Sequence, residues 1–223
     1  MFFEFMNILD HIKAINPNVK FMLENVKMKK SSMDVISGFL GVEPVFINSS
    51  LLTAHNRQRY YWFNWKVEEP KDKGILLKDI VEYGNVDRDK AYCIDANYFK
   101  GGNPRQYFEK SRRQLVFEGE PHIDNPNYRK LTVKECERLQ GLPDGYTEGV
   151  SDTQRYRMLG NGWTIPVISH IFEGLKAKEK QPDLMNILIK VKDCDMVNAG
   201  RLGAILKSND FDFEIVEKSE LRG

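Results

Sequence analysis

The sequence predicts an α/β protein in which helix–strand units build one part of a sheet and an irregular region interrupts them. Three observations predict this class. Apolar residues recur at helical spacing near the N-terminus, short apolar runs of strand length follow, and the stretch from about 66 to 127 breaks into pieces rich in Gly, Pro, Asn and charge. Helices that alternate with strands are typical of parallel sheets. We therefore expect residues 1–65 to form the later units of such a sheet.

The N-terminal elements follow from this periodicity. A first helix ends at Pro17 and is indicated by apolar residues at helical spacing, namely Phe2, Phe5, Leu9 and Ile12. A second helix should have Ser31 or Ser32 as its N-cap and Gly41 behind its last turn. Strands are predicted over residues 19–23, 44–47 and 59–65.

The C-terminal part is predicted to contain two further helices and an appendage. Thr132 followed by Glu135 is a capping box, which opens a helix that runs through Gln140. An amphipathic helix begins near Pro166, a residue suited to the first helical turn. Residues 181–223 combine strand-like and helical stretches, and the sequence indicates no function for them.

The composition excludes several classes of protein. The 223 residues carry 33 Lys and Arg against 32 Asp and Glu, a formal net charge of +1, so a nucleic-acid site must be a local patch. No apolar run approaches the roughly 20 residues of a membrane span, and the first residues lack the pattern of a signal peptide. Cys93, Cys136 and Cys194 lack metal-ligand spacing, which indicates reduced thiols in an intracellular protein and no metal site.

Glu24 is the first candidate for chemistry. It follows a predicted strand, and ligands of open α/β sheets bind beyond the carboxyl ends of the strands. A carboxyl group in such a partly dry position can hold a proton near neutral pH and donate it to a ring nitrogen. The alternative for an isolated Glu-Asn-Val tripeptide is a structural cap at the strand end.

Three basic residues open the next strand in the pattern His55-x-Arg57-x-Arg59. If the segment is extended, alternation places all three side chains on one face. They could then clamp a phosphate or the carbonyl oxygen of a base. The alternative is a solvated basic edge strand that resists aggregation.

The segment 98–115 combines positive charge with interleaved aromatic residues. Its only acidic residue is Glu109, and its basic residues are Lys100, Arg105, Lys110, Arg112 and Arg113. Since neutralising phosphates supplies most of the non-specific affinity for nucleic acid, this segment is predicted to follow a DNA backbone. The alternative is a solvated loop whose aromatic residues belong to the core.

A turn with the sequence Gly160-Asn161-Gly162-Trp163 precedes the last predicted helix. Free backbone donors and an aromatic face at a helix N-terminus suit a ligand that carries a carboxylate and a flat ring. The alternative is an ordinary turn with a packed Trp.

In their order along the chain, these segments resemble the C-terminal half of the DNA cytosine-5 methyltransferases. FFEF and ENV are similar to two consecutive family motifs, and INSSLLTAHNRQRYYW is similar to the arginine motif, with His55 where many members have Gln. AYCIDANYFKGG and EKSRRQLVF resemble the edge of the target-recognition region. RKLTVKECERLQGLPDGYT is similar to the motif that supports this region, and LGNGWTIPVI to the closing cofactor motif. The resemblance covers about residues 1–178.

The resemblance implies the later half of a Rossmann-like (class I) methyltransferase sheet with an inserted target-recognition region and a small C-terminal appendage. It divides the chain into four parts. They are the C-terminal part of the catalytic α/β domain (1–65), the target-recognition region (66–130), supporting helices with the cofactor motif (131–180) and the appendage (181–223).

The resemblance also implies a reaction. The target cytosine of double-stranded DNA is flipped out of the duplex, a cysteine thiolate attacks C6, and S-adenosylmethionine provides the methyl group for C5. On this chain, Glu24 would hold and protonate N3, while Arg59 and Arg57 would bind the base oxygen and the phosphate side. The implied cofactor contacts are Asn161, Gly162 and Trp163, and the implied DNA contacts are the basic residues of segment 98–115.

The same resemblance implies that this chain is half of an active site. The glycine-rich cofactor loop and the Pro-Cys pair of the family would precede residue 1, and none of the three cysteines here follows a proline. We therefore expect a second chain to bring the nucleophile and the lone chain to be inactive. The expected location is the cytoplasm of a bacterial or phage-infected cell. The alternatives are a non-catalytic DNA-binding or regulatory module derived from the same fold and a truncated gene product with no function.

Overall fold

Alternating helices and strands organise the N-terminal part of the protein. The computed structural model describes residues 2–176, so the elements predicted within 181–223 lie outside the described residues. The elements up to residue 63 are α1 (Phe2–Ile15), β1 (Met22–Val26), α2 (Lys30–Leu40), β2 (Val45–Asn48) and β3 (Gln58–Phe63). Each of them corresponds to a predicted helix or strand, so the predicted alternation is confirmed.

Short elements make up the rest of the described chain. They are α3 (Pro104–Lys110), β4 (Leu115–Phe117), β5 (Tyr128–Lys130), α4 (Val133–Leu139), α5 (Asp152–Asn161) and α6 (Ile165–Lys176). Strands β4 and β5 pair antiparallel, and no α-helix or strand falls between β3 and α3. This confirms the predicted irregular region. The sequence does not predict α5, because Tyr156, Met158 and Leu159 are its only large apolar residues.

The N-terminal strands form a sheet in the order β1-β3-β2. Both pairings are antiparallel. The expectation of parallel pairing is therefore wrong for the described residues. Helix α2 carries the chain back so that β1 and β2 run in the same direction, but the short connection after β2 returns β3 in the opposite direction and places it between them.

Helices cover both faces of this sheet. On one face, Trp62 is fully buried in a core with residues of α1 and α2, among them Leu9 and Leu40. On the other face, Tyr61 and Phe63 share a core with α6. Successive residues of β3 therefore face opposite sides of the sheet, and Tyr61 and Phe63 lie on the side of α6.

A second core joins the irregular region to α4 and α5. It contains Leu77 and Ile94 from the irregular region, Leu139 from α4 and Leu159 from α5. Because one core spans both sides of residue 130, the boundary between the regions 66–130 and 131–180 stays a prediction.

Local signals in the sequence are confirmed with one exception. Thr132 Oγ1 accepts a hydrogen bond from the Glu135 amide at 3.1 Å, and the Glu135 carboxylate accepts one from the Thr132 amide at 2.7 Å, which completes the capping box. Gly41 has the left-handed conformation expected behind α2. The predicted serine N-cap of α2 is wrong, because the helix begins at Lys30 and its N-cap, Lys29, makes no side-chain cap bond.

Candidate active site

The register of the sheet brings Glu24 and Arg59 together. Glu24 lies within β1, not after it as the sequence predicts, and is paired with Tyr61, whereas Arg59 is paired with Val26. These side chains alternate onto the same face of the sheet, so Glu24 and Arg59 are diagonal neighbours across the two strands. Their side chains form an ion pair in which Arg59 Nε lies 2.7 Å from Glu24 Oε1.

This pair remains open to a ligand. The side chains of Arg59 and Glu24 are 14% and 20% exposed, so each is largely desolvated without being enclosed. Arg59 Nη1 donates to the carbonyl of Gln58 at 2.8 Å, which fixes one branch of the guanidinium. A carboxyl group and a guanidinium side by side can bind one edge of a planar ring that carries a ring nitrogen next to a carbonyl oxygen.

Tyr61 forms part of the same site, although sequence patterns do not single it out. It is buried and lies opposite Glu24 in the register of the two strands, and burial together with the charge of Glu24 raises the pKa of its phenol. The tyrosine therefore stays neutral, and it packs in the core shared with α6. Its signal in the sequence is only its position two residues after Arg59.

Arg57 lies differently from what the sequence predicts. It is buried, and its guanidinium donates to backbone carbonyls of Ile94 at 3.3 Å, Gly160 at 3.1 Å and Gly162 at 2.9 Å. Burial, followed by the positive charge of Arg59, lowers the pKa of Arg57. Because its donors point at the protein's own backbone, the expected contact on the phosphate side does not fit this position.

His55, the first residue of the same pattern, is also buried. Its Nε2 accepts a hydrogen bond from the amide of Ile94 at 3.0 Å, and its backbone bridges to Ala91. The segment before β3 is therefore held against the irregular region. The predicted common face of three basic side chains is reduced to one accessible member, Arg59.

The turn 160–163 joins α5 to α6. Asn161 is the last residue of α5 and is exposed, and Trp163 is 46% exposed. The Gly162 amide donates to the carbonyl of Met158 at 2.7 Å, so this donor is not free for a ligand as the sequence predicts. The turn offers a polar side chain and an aromatic face at the start of α6.

The basic residues of segment 98–115 divide into exposed and internal ones. Lys100 and Lys110 are exposed, and Arg105 is 80% exposed with Nε 3.6 Å from Glu109 Oε1. The Arg112 side chain is 59% exposed, and its Nη2 is 3.9 Å from a carboxylate oxygen of Asp95.

Arg113 is different, because its guanidinium donates to the carbonyl of Gly101. Its expected contact with DNA therefore conflicts with the bond that this side chain makes inside the segment. The aromatic residues Tyr98 and Tyr107 are fully buried, so they belong to the core, as the alternative interpretation holds.

The chain also places basic residues from other elements next to this segment. The guanidinium of Arg157, in α5, lies 5.2 Å from the ring centre of Phe99, and Lys130 Nζ donates to the carbonyl of Phe99 at 2.8 Å. Both lie far along the chain from segment 98–115, so no local sequence signal could have linked them to it.

The described cysteines do not resemble a nucleophile beside the Glu24–Arg59 pair. Cys136 is fully buried in the second core, and burial raises the pKa of its thiol. Cys93 is exposed, with Sγ 3.8 Å from Arg57 Nη1. Within residues 2–176 no cluster of His, Cys, Asp and Glu could hold a metal ion, and no helix there has the length and apolar character to cross a membrane.

Similarity to solved structures defines the class of fold. The methyltransferase EhMeth of Entamoeba histolytica superimposes with a TM-score of 0.54 at 17% identity, over 73% of this chain and 63% of that one. The described elements therefore form part of a class I methyltransferase fold.

The family follows from the sequence comparison. The model of the C-5 cytosine-specific DNA methylases matches residues 49–177, more than half of the chain, and the chain belongs to this family.

Relatives include the type II methyltransferases M2.ScrFI (33% identical over 48% of this chain and 31% of that protein) and M1.ScrFI (34% identical over 72% of this chain and 35% of that protein). Both are from Lactococcus lactis subsp. cremoris. The chain spans about a third of the length of these relatives.

Proposed function

We propose that this chain forms the base-binding and DNA-recognition part of a DNA cytosine-5 methyltransferase that uses S-adenosylmethionine. The observation that carries the proposal is the ion pair of Glu24 and Arg59, with 2.7 Å between Oε1 and Nε on a partly exposed face of the sheet. A cytosine that has left the duplex offers N3 next to the O2 carbonyl. This edge matches a carboxyl group and a guanidinium that lie side by side.

Each member of the pair has a defined task in this reaction. Arg59 donates to O2 of the flipped base and breaks its contact with Glu24 to do so. Glu24 takes a proton, holds N3 through it and transfers it to N3 while a thiolate adds to C6. The electron pair gained by the ring then makes C5 nucleophilic. After methylation a base takes the C5 proton, the electron pair of that C–H bond forms the C5–C6 double bond and the C6–S bond breaks to release the thiolate, while N3 returns its proton to Glu24.

The turn 160–163 is the proposed cofactor contact. S-adenosylmethionine, when bound, supplies a methyl group on a positively charged sulfur. The exposed face of Trp163 suits its flat ring, and the Asn161 side chain suits its polar groups. Gly162 has no side chain to offer the cofactor. Its amide donates to the carbonyl of Met158 at the end of α5, and its carbonyl accepts from Arg57.

DNA contact is proposed for the accessible basic residues Lys100, Arg105, Lys110 and Arg112. Arg157 stacks near the same segment and extends the positive surface onto α5. Charge on exposed flexible side chains neutralises phosphates without fixing sequence, so these residues account for affinity rather than for base recognition.

The nucleophilic thiol is proposed to come from polypeptide outside these 223 residues, on a second chain or on another part of one longer protein. Cys136 is enclosed, and Cys93 contacts Arg57 rather than the Glu24–Arg59 pair. Strand β1 pairs only with β3 among the described strands, so its second edge is available there for another strand. Helix α1 adds an apolar stripe, with Ile8, Ile12 and Ile15 exposed on it.

The test is reconstitution with a Pro-Cys segment from a relative. The 223-residue chain is co-expressed with that segment, and transfer of labelled methyl groups to DNA is measured. We expect Glu24→Gln and Arg59→Lys each to lower the rate at least tenfold, because each removes an interaction made at the reacting base. Asp34→Asn, which breaks the exposed ion pair with Lys30, is the control and should leave the rate unchanged.

Trapping on DNA that contains 5-fluorocytosine identifies the thiol. Fluorine at C5 cannot leave as a proton, so the covalent adduct persists. We expect the adduct on the Pro-Cys segment, and Cys93→Ser should not alter its yield. An adduct on this chain that Cys93→Ser abolishes would refute an external nucleophile.

A non-catalytic DNA-binding module is the second candidate, because the exposed basic residues could bind DNA whether or not Glu24 and Arg59 bind a flipped base. It predicts that Glu24→Gln leaves every measured property unchanged, while Lys110→Ala and Arg112→Ala weaken DNA binding. The relatives are named as type II methyltransferases. We propose by analogy that the protein acts in the cytoplasm of a bacterial or phage-infected cell as part of a modification system.

A further inference from the structure

Arg57 is an unusual buried charge. Only 4% of the residue is exposed, and its guanidinium has three backbone carbonyls as partners but no carboxylate among the described residues. A buried charge normally pairs with an opposite charge, because desolvation is otherwise poorly compensated. Here the three carbonyls compensate for the desolvation of the guanidinium, and their position in the fold indicates what Arg57 does.

Two of the carbonyls lie at the C-terminal end of α5. Nη1 of Arg57 donates to the carbonyl of Gly160 at 3.1 Å, and Nη2 donates to that of Gly162 at 2.9 Å. The last carbonyls of a helix have no partner inside the helix and carry the negative end of its dipole. Arg57 therefore caps α5 from inside the protein and fixes where the turn 160–163 leaves the helix.

Other buried polar groups hold the same turn. Gln140 Nε2 donates to the carbonyl of Leu159, and Thr164 Oγ1 donates to Gln140 Oε1 at 2.8 Å. Ser49 Oγ in turn donates to Thr164 Oγ1 at 3.1 Å. Each of these groups is buried, so the turn rests on a satisfied polar network, and such networks specify one arrangement of the backbone.

The third carbonyl connects Arg57 to the irregular region. Nη1 also donates to the carbonyl of Ile94 at 3.3 Å, next to Asp95. A Cβ on Gly160 would lie 2.3 Å from the carbonyl oxygen of Asp95, so the end of α5 already packs directly on that backbone. One guanidinium thus joins the start of β3, the end of α5 and the backbone that leads into segment 98–115.

We propose that Arg57 is a positioning residue for cofactor binding: it sets the geometry of Asn161 and Trp163 through the turn carbonyls and contacts neither the base nor the cofactor. This inference rests on the proposed function for the role of the turn. It gives different tasks to two arginines of one motif. Arg59 acts on the base, whereas Arg57, two residues earlier in the chain, acts on the turn 160–163.

The test compares Arg57→Lys with Arg129→Lys as a matched control. Lysine has one nitrogen where the two terminal nitrogens of Arg57 reach three carbonyls, so the turn loses at least one of its two bonds to this side chain. The Arg129 side chain is 19% exposed and pairs with Glu135, and no hydrogen bond joins either residue to the turn 160–163. Both variants should lower the thermal midpoint, so any effect confined to Arg57→Lys is not general destabilisation.

The first readout is the binding of S-adenosylhomocysteine to the reconstituted protein by titration calorimetry. We expect Arg57→Lys to raise the dissociation constant about tenfold and the KM for DNA less than threefold, with both constants unchanged in Arg129→Lys. An unchanged dissociation constant in Arg57→Lys, or an equal rise in both variants, overturns the proposal. Absence of binding by the unsubstituted protein would instead contradict the proposed function.

The second readout needs no cofactor. Trp62 and Trp65 are buried, so the exposed Trp163 dominates the long-wavelength emission of the chain, and Trp163→Phe supplies the spectrum to subtract. We expect Arg57→Lys to shift the Trp163 emission and to speed hydrogen exchange across residues 162–165, with neither change in Arg129→Lys. Identical spectra and exchange in Arg57→Lys and the unsubstituted chain overturn the proposal.

Thr164→Val is the milder variant for the case in which Arg57→Lys does not fold. It removes one hydroxyl from the network that holds the turn. The same changes in emission and affinity are expected at smaller amplitude, and their absence in a folded variant overturns the proposal.

Discussion

At the scale of single residues, burial decides the charge of His55. The ring is fully buried, and its Nε2 accepts a hydrogen bond from the Ile94 amide, a role that requires an unprotonated nitrogen. Burial is the main cause that lowers the pKa of His55 to about 3, and the charges of Arg57 and Arg59 add to it. His55 is therefore neutral in the folded protein wherever the protein is stable.

A dependence of stability on pH follows from this shift. The unfolded chain protonates His55 near pH 6.5 and the folded chain only at about 3, so unfolding takes up a proton in between and the free energy of unfolding falls as the pH is lowered through that window. His55→Gln should reduce the loss of thermal midpoint between about pH 7.5 and pH 5.5. Below pH 6.5, His55 lowers the free energy of unfolding by up to about 1.4 kcal/mol for each pH unit.

The control for this prediction is His122→Gln, because His122 is exposed. It should leave the dependence of the thermal midpoint on pH as it is. If His55→Gln had the same dependence as the unsubstituted chain, His55 could not be the neutral buried group described above.

At the scale of elements, close packing of backbone on backbone fixes the end of α5. A Cβ on Gly160 would approach the carbonyl carbon of Asp95 to 2.2 Å and the amide nitrogen of Ala96 to 2.4 Å. These atoms belong to the backbone and cannot rotate away. Any side chain at this position must therefore move α5 as a whole from the irregular region.

Gly160→Ala should destabilise the protein by about 1–3 kcal/mol, because overpacking forces the backbone to shift. Gly38→Ala is the matched control, since Gly38 lies in α2 with no atom within 4 Å of the added Cβ. That variant should gain about 0.5–1 kcal/mol from helix propensity. Urea unfolding measures both, and equal effects of the two substitutions would contradict the packing described at Gly160.

At the scale of the whole molecule, charge is balanced in total but uneven in position. The chain has a formal net charge of +1, yet Lys100, Lys110 and Arg112 are exposed in one short segment. Arg113 belongs to the same run in the sequence, but its guanidinium binds the carbonyl of Gly101 and its φ of 59° is left-handed. Neighbouring arginines therefore serve different purposes.

DNA binding should separate these two arginines. Arg112→Ala is expected to reduce the slope of log affinity against log salt by about 1, since one phosphate contact is lost, and to leave the thermal midpoint unchanged. Arg113→Ala is expected to lower the thermal midpoint, because the bond to Gly101 is lost. Fluorescence anisotropy between about 50 and about 200 mM salt, together with thermal unfolding, measures both effects. If Arg112→Ala lowered the thermal midpoint and left the salt slope unchanged, Arg112 would have a structural role and not the proposed contact with DNA.

Much of the fold was predictable because its signals are local. The periodicity of α1, the capping box at Thr132 and the glycine behind α2 each depend on residues within one or two turns of the chain. Pairing across the sheet is not local, so the insertion of β3 between β1 and β2 had no signal in the sequence. Helix α5 was missed because its stability comes from Tyr156 and Leu159 in the second core rather than from an apolar stripe.

The sequence by itself determined the order of the elements up to β3, the family and the candidates Glu24 and Arg59, because motifs and periodicity are properties of neighbouring residues. Only the tertiary structure decided what each arginine does. In an extended segment Arg57 and Arg59 point the same way, and the sequence cannot distinguish them. The packing of α5 and the irregular region encloses one guanidinium among carbonyls and leaves the other beside a carboxylate at the open face, since burial and the choice of partners arise from contacts between distant parts of the chain.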